Sequence, residues 1–275
     1  MKLSGRFLHS NDITGAYPDS YYAATANTTL ELPSQQGDEQ ADVCIIGAGF
    51  TGLSAALHLA KSGLKVIVVE AHRIGWGASG RNGGQLGTGQ RVDQDDLENM
   101  VGKEDAHKLW DLGLESVNLC KALMKEHNIE CDLTAGILHV DHKPGFVAET
   151  KAYVEKLQTE YNYSDIRFID QQETREMVGS KAYYGGSLDS QSAHIHPLNF
   201  VLGLAKAAVK AGISIYERSE VLSYTKTDPA IVTLKNGTIK AKFVLLACNG
   251  YLDDLDKKAA CKIMPINNYI NATQP

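Results

Sequence analysis

The chain has 275 residues, of which 43% are hydrophobic and 22% charged, and its formal net charge is −6 at pH 7. This length allows one large domain or two modest ones with a sizeable buried core. The acidic balance argues against the basic face that nucleic-acid binding needs. We find no run of about 18 apolar residues, which a membrane helix requires. We therefore expect neither nucleic acid nor a membrane as a partner.

The cysteines and the N-terminus bear on the cellular compartment. The first residues contain no apolar segment of the kind that a secretory signal carries. The 5 cysteines are odd in number, scattered and never spaced as CxxC. This pattern argues against a disulfide framework and against a zinc site. We therefore predict a cytoplasmic protein without a bound metal, and the sequence leaves a homo-oligomer open.

The first part of the chain predicts a strand, a helix and a second strand. Residues 1–40 are polar and irregular, and we interpret them as an N-terminal arm. The apolar run 43–46 ends in glycine, which is typical of a buried parallel strand. Apolar residues at helical spacing follow as far as Gly63, which suits a helix end. Residues 65–70 (KVIVVE) complete a predicted βαβ unit.

A long helix and a separate lobe come next. Residues 93–128 predict a helix. Its predicted apolar stripe comprises Leu97, Met100, Val101, Leu109, Leu112, Leu119 and Leu123. From 129 to 190 the sequence alternates like half-exposed strands, at 137–140 and 166–170, around a charged helix at 145–161. This region predicts a partly antiparallel α+β lobe.

The α/β pattern resumes near the C-terminus. Residues 197–212 predict a helix that begins with proline and ends with glycine. Residues 213–221 predict one further strand. Residues 230–250 predict a hairpin whose tight turn is Asn236-Gly237 and whose last part is a buried strand.

The turn after the first strand is Gly47-Ala48-Gly49-Phe50-Thr51-Gly52, the spacing of a dinucleotide-binding turn. Its glycines permit the tight turn, the approach of a pyrophosphate and close helix packing, while the helix N-terminus offers N–H groups to the phosphates. Glu70 follows about 20 residues later, where a carboxylate accepts the ribose hydroxyls. We predict FAD or NAD rather than NADP, because residue 70 is acidic. A glycine turn without a ligand is the alternative.

Glycines then crowd residues 75–87. Successive N–H groups in such a loop can form a nest for an anion, and an arginine can neutralise a phosphate. The polar side chains that accompany these glycines are Arg73, Ser79, Arg81, Asn82 and Gln85. We predict that this loop wraps a second time around a pyrophosphate, and a mobile surface loop is the alternative.

Residues 43–84, which contain both glycine motifs, resemble the FAD-dependent D-amino-acid oxidase superfamily, in its glycine oxidase and sarcosine oxidase group. Residues 20–27 (SYYAATAN) and 77–85 (GASGRNGGQ) resemble its gamma-glutamylputrescine oxidoreductase branch. Residues 192–221 and 243–251 resemble the superfamily's return to the FAD-binding domain. The resemblance implies FAD as the cofactor and a glutathione-reductase-type Rossmann-like α/β domain with an inserted α+β substrate lobe.

The resemblance and the two glycine motifs together predict a set of cofactor-binding residues. In the family, backbone groups at the position of Val221 hold the adenine, and the segment 247–250 lies beside the cofactor. The predicted set is Gly47, Ala48, Gly49, Phe50, Thr51, Gly52, Glu70, Ala71, Arg73, Ser79, Gly80, Arg81, Asn82, Gly83, Gly84, Gln85, Leu86, Val221, Ala247, Cys248, Asn249 and Gly250.

The chemistry that the resemblance implies is oxidation of a C–N bond. FAD takes a hydride from the carbon next to an amine nitrogen, water hydrolyses the resulting imine, and oxygen is reduced to hydrogen peroxide. The partners are then a small-molecule amine and oxygen. We assign no catalytic residue. We expect His196 to cap or pack at a helix start and Cys248 to be a small buried hydrophobe, whereas His139 faces either substrate or solvent.

The resemblance also implies domain boundaries. The predicted segments are an N-terminal arm at 1–40, the FAD-binding domain at 41–128 and 191–252, the substrate lobe at 129–190, and the start of the lobe's return at 253–275. In the family a substantial stretch follows the last segment, so we expect a truncated chain. A truncated FAD-binding module without catalysis is therefore one alternative function. An NAD-dependent dehydrogenase is another, which the glycine loop disfavours.

Overall fold

A computed structural model describes residues 7–9, 15–266 and 268–271. The helices are α1 (Tyr21–Ala24), α2 (Phe50–Lys61), α3 (Gln94–Val101), α4 (Lys103–Glu126), α5 (Phe146–Glu160), α6 (Gln171–Val178), α7 (Pro197–Lys210) and α8 (Lys257–Ala260). The strands are β1 (Glu39–Ile46), β2 (Val66–Val69), β3 (Gln85–Leu86), β4 (Thr134–Val140), β5 (Ile166–Ile169), β6 (Gly186–His194), β7 (Ser214–Tyr216), β8 (Val221–Tyr224), β9 (Ala230–Leu234) and β10 (Gly237–Leu246).

The chain divides into two compact units. The first unit comprises residues 1–83, 124–131 and 196–275, and the second comprises 84–123 and 132–195. Parts of the predicted arm (1–6 and 10–14) and of the predicted segment 253–275 (267 and 272–275) lie outside the described residues.

The first unit contains a six-stranded sheet in the order β7-β2-β1-β10-β9-β8. Strands β7, β2, β1 and β10 are parallel, while β9 and β8 run antiparallel to their neighbours. Buried apolar side chains of β1, β2, β9 and β10 form a core on one face, with Cys44, Ile67, Val232 and Ile239 fully buried. The strand–helix–strand order from β1 to β2 confirms the predicted βαβ unit and the α/β fold class.

The second unit contains an antiparallel sheet in which β6 lies between β3 and β4 and also pairs with β5. Aromatic side chains of α4 and of the region after α5 form its core, with Trp110 in edge contact with both Tyr161 and Tyr163. The predicted lobe therefore contains its two strands and its helix. The nine-residue strand β6 was not predicted, because its sequence GSLDSQSAH has few apolar residues.

The predicted strand 213–221 is wrong as one element. The chain leaves the sheet after Tyr216 and re-enters it at Val221, and β7 and β8 lie at opposite edges of the sheet. The hairpin between β9 and β10 is present, but Leu234 pairs with Gly237. Its two-residue turn is therefore 235–236, one residue earlier than predicted.

The long predicted helix 93–128 is two helices, and its predicted apolar stripe is wrong in part. Gly102 has φ +83° and separates α3 from α4, which changes the helical phase. The side chains of Met100, Leu112 and Leu119 are 70%, 55% and 41% exposed, whereas Leu97 and Leu123 are buried as predicted. The buried face of α4 includes Ala106, Trp110 and Val117 instead, so the bulky Trp110 decides which face packs.

The compact units also differ from the predicted domain boundaries. Residues 84–123, which we expected in the FAD-binding domain, belong to the second unit. The glycine loop thus changes units between Gly83 and Gly84. Among the described residues, no helix is both long and apolar enough to cross a membrane.

Candidate functional site

The predicted glycine turn has the backbone geometry that only glycine allows. Gly47 has φ +110°, and a Cβ there would lie 2.6 Å from the carbonyl oxygen of Ala247. A Cβ on Gly52 would lie 2.0 Å from the carbonyl oxygen of Gly47. Both values are far shorter than any real carbon–oxygen contact, so these glycines let α2 start directly against the turn. The predicted roles of Gly47 in the turn and of Gly52 in packing are confirmed.

The N-terminus of α2 is completed by a side chain from the glycine loop. Gly49 is the N-cap and has no side chain with which to accept a hydrogen bond. The Ser79 hydroxyl takes that place, because the N–H of Phe50 donates to its Oγ at 3.1 Å. The hydroxyl proton of Ser79 stays available to a ligand, since a hydroxyl both accepts and donates. The first N–H groups of a helix attract anions, so Ser79 and α2 together favour a phosphate.

Glu70 follows β2 and is held by backbone groups. Its carboxylate accepts hydrogen bonds from the N–H of Ala48 at 2.8 Å and of His72 at 3.0 Å. Burial raises the pKa of Glu70 above its ordinary value, and these N–H donors act in the opposite direction. A carboxylate offers about four acceptor positions, so acceptor capacity remains for hydroxyl groups. Glu70 thus joins the glycine turn to the segment that follows β2.

These groups line one cavity of about 130 Å³ in the first unit. Its walls come from Leu8, the ends of β1 and β2, the segments 75–79 and 219–222, and residues 247–249 and 251–255. The predicted residues that line it are Gly47, Gly49, Glu70, Ala71, Ser79, Val221, Ala247, Cys248 and Asn249. Four stretches distant in sequence therefore meet where the resemblance predicts a dinucleotide.

The other predicted residues do not line this cavity. Thr51 and Gly52 belong to α2, which packs behind the turn, and Gly250 lies against Pro265. Gly84, Gln85 and Leu86 belong to the second unit, where Gln85 and Leu86 form β3. The remaining residues outside the cavity lining are Ala48, Phe50, Arg73, Gly80, Arg81, Asn82 and Gly83.

Arg73 lies in a buried ion pair instead of in the cavity lining. Its Nε donates to both carboxylate oxygens of Glu217, at 3.1 and 3.0 Å, and the Glu217 side chain is fully buried. The terminal nitrogens of Arg73 donate to the carbonyl oxygens of Gly15 and Leu30. The guanidinium is thus committed to protein groups, which corrects the expectation that Arg73 contacts the cofactor.

Arg81 belongs to a stack of rings beside the cavity. The rings of His72 and Trp76 stack with centroids 3.9 Å apart, and the Arg81 guanidinium lies 4.6 Å from the Trp76 ring centroid. Arg81 also donates to the hydroxyl of Tyr251 at 2.9 Å. Trp76 and Tyr251 pack on each other edge to face, and both line the cavity.

The remaining candidates have clear positions. His196 is the N-cap of α7 and accepts a hydrogen bond from the N–H of Asn199 at 3.1 Å, which confirms the predicted capping role. Cys248 packs beside the core but is only half-buried, less than the buried position predicted, and burial raises the pKa of its thiol to about 12. His194 is the exposed last residue of β6.

A second cavity, of about 820 Å³, lies within the second unit. Side chains form its lining, and they include the carboxylates of Asp141, Glu149 and Asp189 and the exposed His139 of β4. Asp189 accepts hydrogen bonds from Thr88, Ser192 and Tyr163, so its carboxylate is fixed by the protein itself.

The family model described as FAD dependent oxidoreductase (DAO) matches residues 42–275. The chain therefore belongs to this family, and the match confirms both the resemblance and FAD as the cofactor. Among solved structures, glycine oxidase from Geobacillus kaustophilus matches with a TM-score of 0.65 and 20% identity over 80% of this chain and 58% of that one. The L-amino acid deaminase from Proteus myxofaciens matches with a TM-score of 0.66 and 19% identity, over 81% of this chain and 48% of that one. At these identities the likeness shows the fold alone.

Curated relatives are more similar in sequence. The chain is 41% identical over 255 residues to the probable oxidoreductase OrdL of Rhizobium meliloti (strain 1021), which covers 92% of this chain and 60% of the relative. It is 37% identical over 259 residues to the gamma-glutamylputrescine oxidoreductase of Escherichia coli (strain K12). That alignment covers 94% of this chain and 61% of the relative. The chain thus spans about 60% of the length of these relatives.

Proposed function

We propose that this chain binds FAD and serves the oxidation of a C–N bond in a small amine or amino acid, with oxygen reduced to hydrogen peroxide. The observation that carries the proposal is the cavity of the first unit. There the glycine turn, the N-terminus of α2, Ser79 and the Glu70 carboxylate come together with Val221 and the segment 247–249.

The chemistry of this cavity fits FAD. Gly49 lines it without a side chain, and a Cβ on that residue would lie 2.7 Å from the Ser79 hydroxyl, so only a bare backbone fits between α2 and Ser79. The N–H groups of α2 and the Ser79 hydroxyl would hold the pyrophosphate. Glu70 would accept the ribose hydroxyls. Val221, at the start of β8, would lie beside the adenine.

FAD, when bound, supplies the acceptor for a hydride from the carbon beside the amine nitrogen. The protein's own groups orient that acceptor and exclude water. Trp76 and Tyr251, which meet edge to face, close part of the cavity wall with apolar surface. Cys248 stays a neutral thiol at physiological pH, because the pKa of about 12 leaves almost no thiolate. We therefore give Cys248 a packing role and still assign no catalytic base.

We propose a gamma-glutamylated polyamine as the substrate class. The support is the identity of 37% to a protein named gamma-glutamylputrescine oxidoreductase, over 94% of this chain. We keep the predicted substrate lobe, now placed on the second unit, as part of this proposal. We propose a cytoplasmic location, because the 5 cysteines are scattered along the sequence and never spaced as CxxC.

The experiment is a spectral titration. The chain is purified with added FAD, its visible spectrum is recorded, and gamma-glutamylputrescine is added without oxygen. We expect a flavin band that bleaches, and peroxide once oxygen is admitted; putrescine without the glutamyl group is the control substrate. A preparation that stays colourless after soaking with FAD would contradict the proposal.

A band that substrate does not bleach would favour the second candidate, an FAD-binding module without turnover. The supporting observation is that every residue that lines the proposed dinucleotide cavity lies in the first unit. We therefore expect FAD binding not to require the second unit.

A further inference from the structure

We infer that the described residues of the N-terminal arm form part of the FAD site, in which Leu8 forms the wall at the adenosine end and the Arg73–Glu217 ion pair holds residues 15–32 in place. This inference rests on the proposed binding of FAD. It gives a role to the arm, which precedes the residues matched by the family model.

Leu8 lines the cavity, and both its backbone N–H and its carbonyl oxygen contact other residues. Its N–H donates to a carboxylate oxygen of Asp253 at 3.0 Å. Its carbonyl oxygen lies 3.0 Å from Nε2 of His72. Asp253 is another residue of the cavity wall. The half-buried Leu8 side chain is thereby fixed against the cavity from the segments that follow β2 and β10.

The neighbours of Leu8 place it at one particular end of the cavity. The N–H of His72, whose ring contacts the Leu8 carbonyl, donates to the Glu70 carboxylate at 3.0 Å. His9, the next residue of the arm, lies 3.1 Å from the carboxylate of Glu220, which precedes Val221. Glu70 and Val221 are the proposed ribose and adenine residues. Leu8 therefore contributes apolar surface beside the base, which favours a flat, partly apolar group there.

Residues 15–32 of the arm are attached through the Arg73–Glu217 pair. Besides pairing with Glu217, Arg73 donates to the carbonyl oxygens of Gly15 and Leu30. Glu217 in turn accepts hydrogen bonds from the N–H of Leu32 and of Ile74. One buried pair thus ties the arm at three points to the segments after β2 and after β7.

Those two segments continue directly into the cavity wall, as 75–79 and 219–222. Two further bonds hold the same junction, from the N–H of Gln35 to the Ser219 hydroxyl and from the N–H of Glu217 to the Pro33 carbonyl. Arg73 and Glu217 are therefore positioning residues, which act on the cavity through the arm and through the segments beside it.

The test measures the affinity of the full chain for FAD and for ADP, which carries the adenosine half alone. In Leu8→Glu a negatively charged carboxylate replaces apolar surface beside the base. Both ligands also carry two negatively charged phosphates. We expect about tenfold weaker binding of both ligands, and about threefold weaker binding for Leu8→Ala. The matched control is Gln36→Glu, which adds the same charge at an exposed position of the arm and should leave both affinities unchanged.

The positioning role is tested by a double-mutant cycle with Arg73→Lys. A lysine keeps the charge but cannot reach Glu217, Gly15 and Leu30 together, because it lacks the planar fork. We expect this variant to weaken ADP binding, at a temperature well below its melting point, and to add little in the Leu8→Glu background. A residue that only stabilises the fold would instead give additive losses, which would overturn the positioning role.

The outcomes separate this inference from the proposed function. If the wild-type chain binds neither FAD nor ADP, both are overturned. If it binds FAD and Leu8→Glu binds FAD and ADP equally well, only the inference is overturned. The same holds if Leu8→Glu weakens FAD but not ADP, or if Gln36→Glu weakens binding as much as Leu8→Glu.

Discussion

The cavities of the two units differ in the chemical groups that line them. In the first unit a glycine turn, a helix N-terminus and Gly77 bring backbone to the cavity beside side chains, with the Glu70 carboxylate at the proposed ribose position. In the second unit the lining consists of side chains from helices, strands and a loop, with several carboxylates. We therefore expect the first site to depend on the glycines of its turn, and the second site to depend on the side chains that line it.

The largest effect is expected from adding one methyl group to the glycine turn. In Gly52→Ala the new Cβ meets the Gly47 carbonyl oxygen at 2.0 Å, and backbone on both sides must move. We expect a loss of about 3 kcal/mol in the free energy of unfolding and an FAD affinity too weak to measure. Urea unfolding and an FAD titration measure these effects.

The matched variant in the second unit is Gly145→Ala. A Cβ there meets nothing within 4 Å, and φ is −65°. We expect a change in stability of less than about 0.5 kcal/mol and unchanged FAD binding. Equal losses in the two variants would contradict the conclusion that the close packing of Gly52 against the Gly47 carbonyl requires a glycine.

The next effect comes from the carboxylate at the proposed ribose position. Glu70→Gln removes a charged acceptor, and its NH2 group would also face the N–H of either Ala48 or His72 with a donor. We expect FAD binding to weaken by about 2 kcal/mol, or about 30-fold. Glu149→Gln neutralises a carboxylate of the second cavity and should leave FAD affinity unchanged. Fluorescence quenching of FAD measures both variants, and equal affinities in the two would contradict the assignment of Glu70.

A smaller effect is expected from two serines that make similar bonds in the two units. Ser79 accepts from the N–H of Phe50, and Ser192 accepts from the N–H of Thr88. Alanine at either position should cost about 1 kcal/mol of stability, since each leaves a backbone donor unpaired. Only Ser79→Ala should also weaken FAD binding, by about fivefold. Thermal unfolding together with the titration would show a shared loss of stability and a difference in affinity.

The smallest effect is a pH dependence of stability that belongs to the second unit. The hydroxyl of Tyr161 donates to Glu98, and Lys156 pairs with the same carboxylate, so both hold the pKa of Glu98 below its ordinary value. A lowered acid pKa contributes stability above the unfolded value of about 4.3, and this contribution is lost as the pH falls through the folded value.

Glu98→Gln should therefore destabilise the chain by about 1 kcal/mol or less at pH 7, and by less at pH 3. Urea unfolding at the two pH values measures the difference, with the exposed Glu155→Gln of α5 as the control. FAD affinity at pH 7 should not change. A loss that grows towards pH 3 would refute the assigned direction of the Glu98 shift.

The contrast between the units also explains what the sequence could predict. The glycine turn and Glu70 lie within one βαβ unit, so spacing alone placed them. Val221 and the segment 247–250 are distant in sequence, and only the resemblance connected them to the turn. Three of those four distant residues, together with Val221, do line the cavity. A side-chain cavity has no comparable spacing, and no catalytic residue could be predicted for it.

The Arg73–Glu217 pair was missed for a related reason. Its partners have no periodic relation in the sequence, and Arg73 stood beside glycines that suggested a phosphate contact. One signal was available: Glu217 interrupts ISIYERSEV, where a single strand would not bury an acid. An acid at that point indicates both the end of β7 and a buried cation partner. The predicted stripe failed because it was drawn across two helices, and within α4 the buried face follows Ala106, Trp110 and Val117 instead of Leu112 and Leu119.

The pairing of β1 with β10 has a consequence for the order of synthesis. Glu39 pairs with Ile239 at the middle of the first sheet, so β1 has a free edge until on the order of 200 more residues have been made. At roughly 5–20 residues per second this takes about 10–40 seconds. During that interval the nascent βαβ unit lacks the wall supplied by residues 247–255, and it exposes an apolar strand edge to other chains. Expression at reduced temperature with added chaperone should therefore raise the yield of folded protein more than added cofactor does, because the cofactor cavity is completed last.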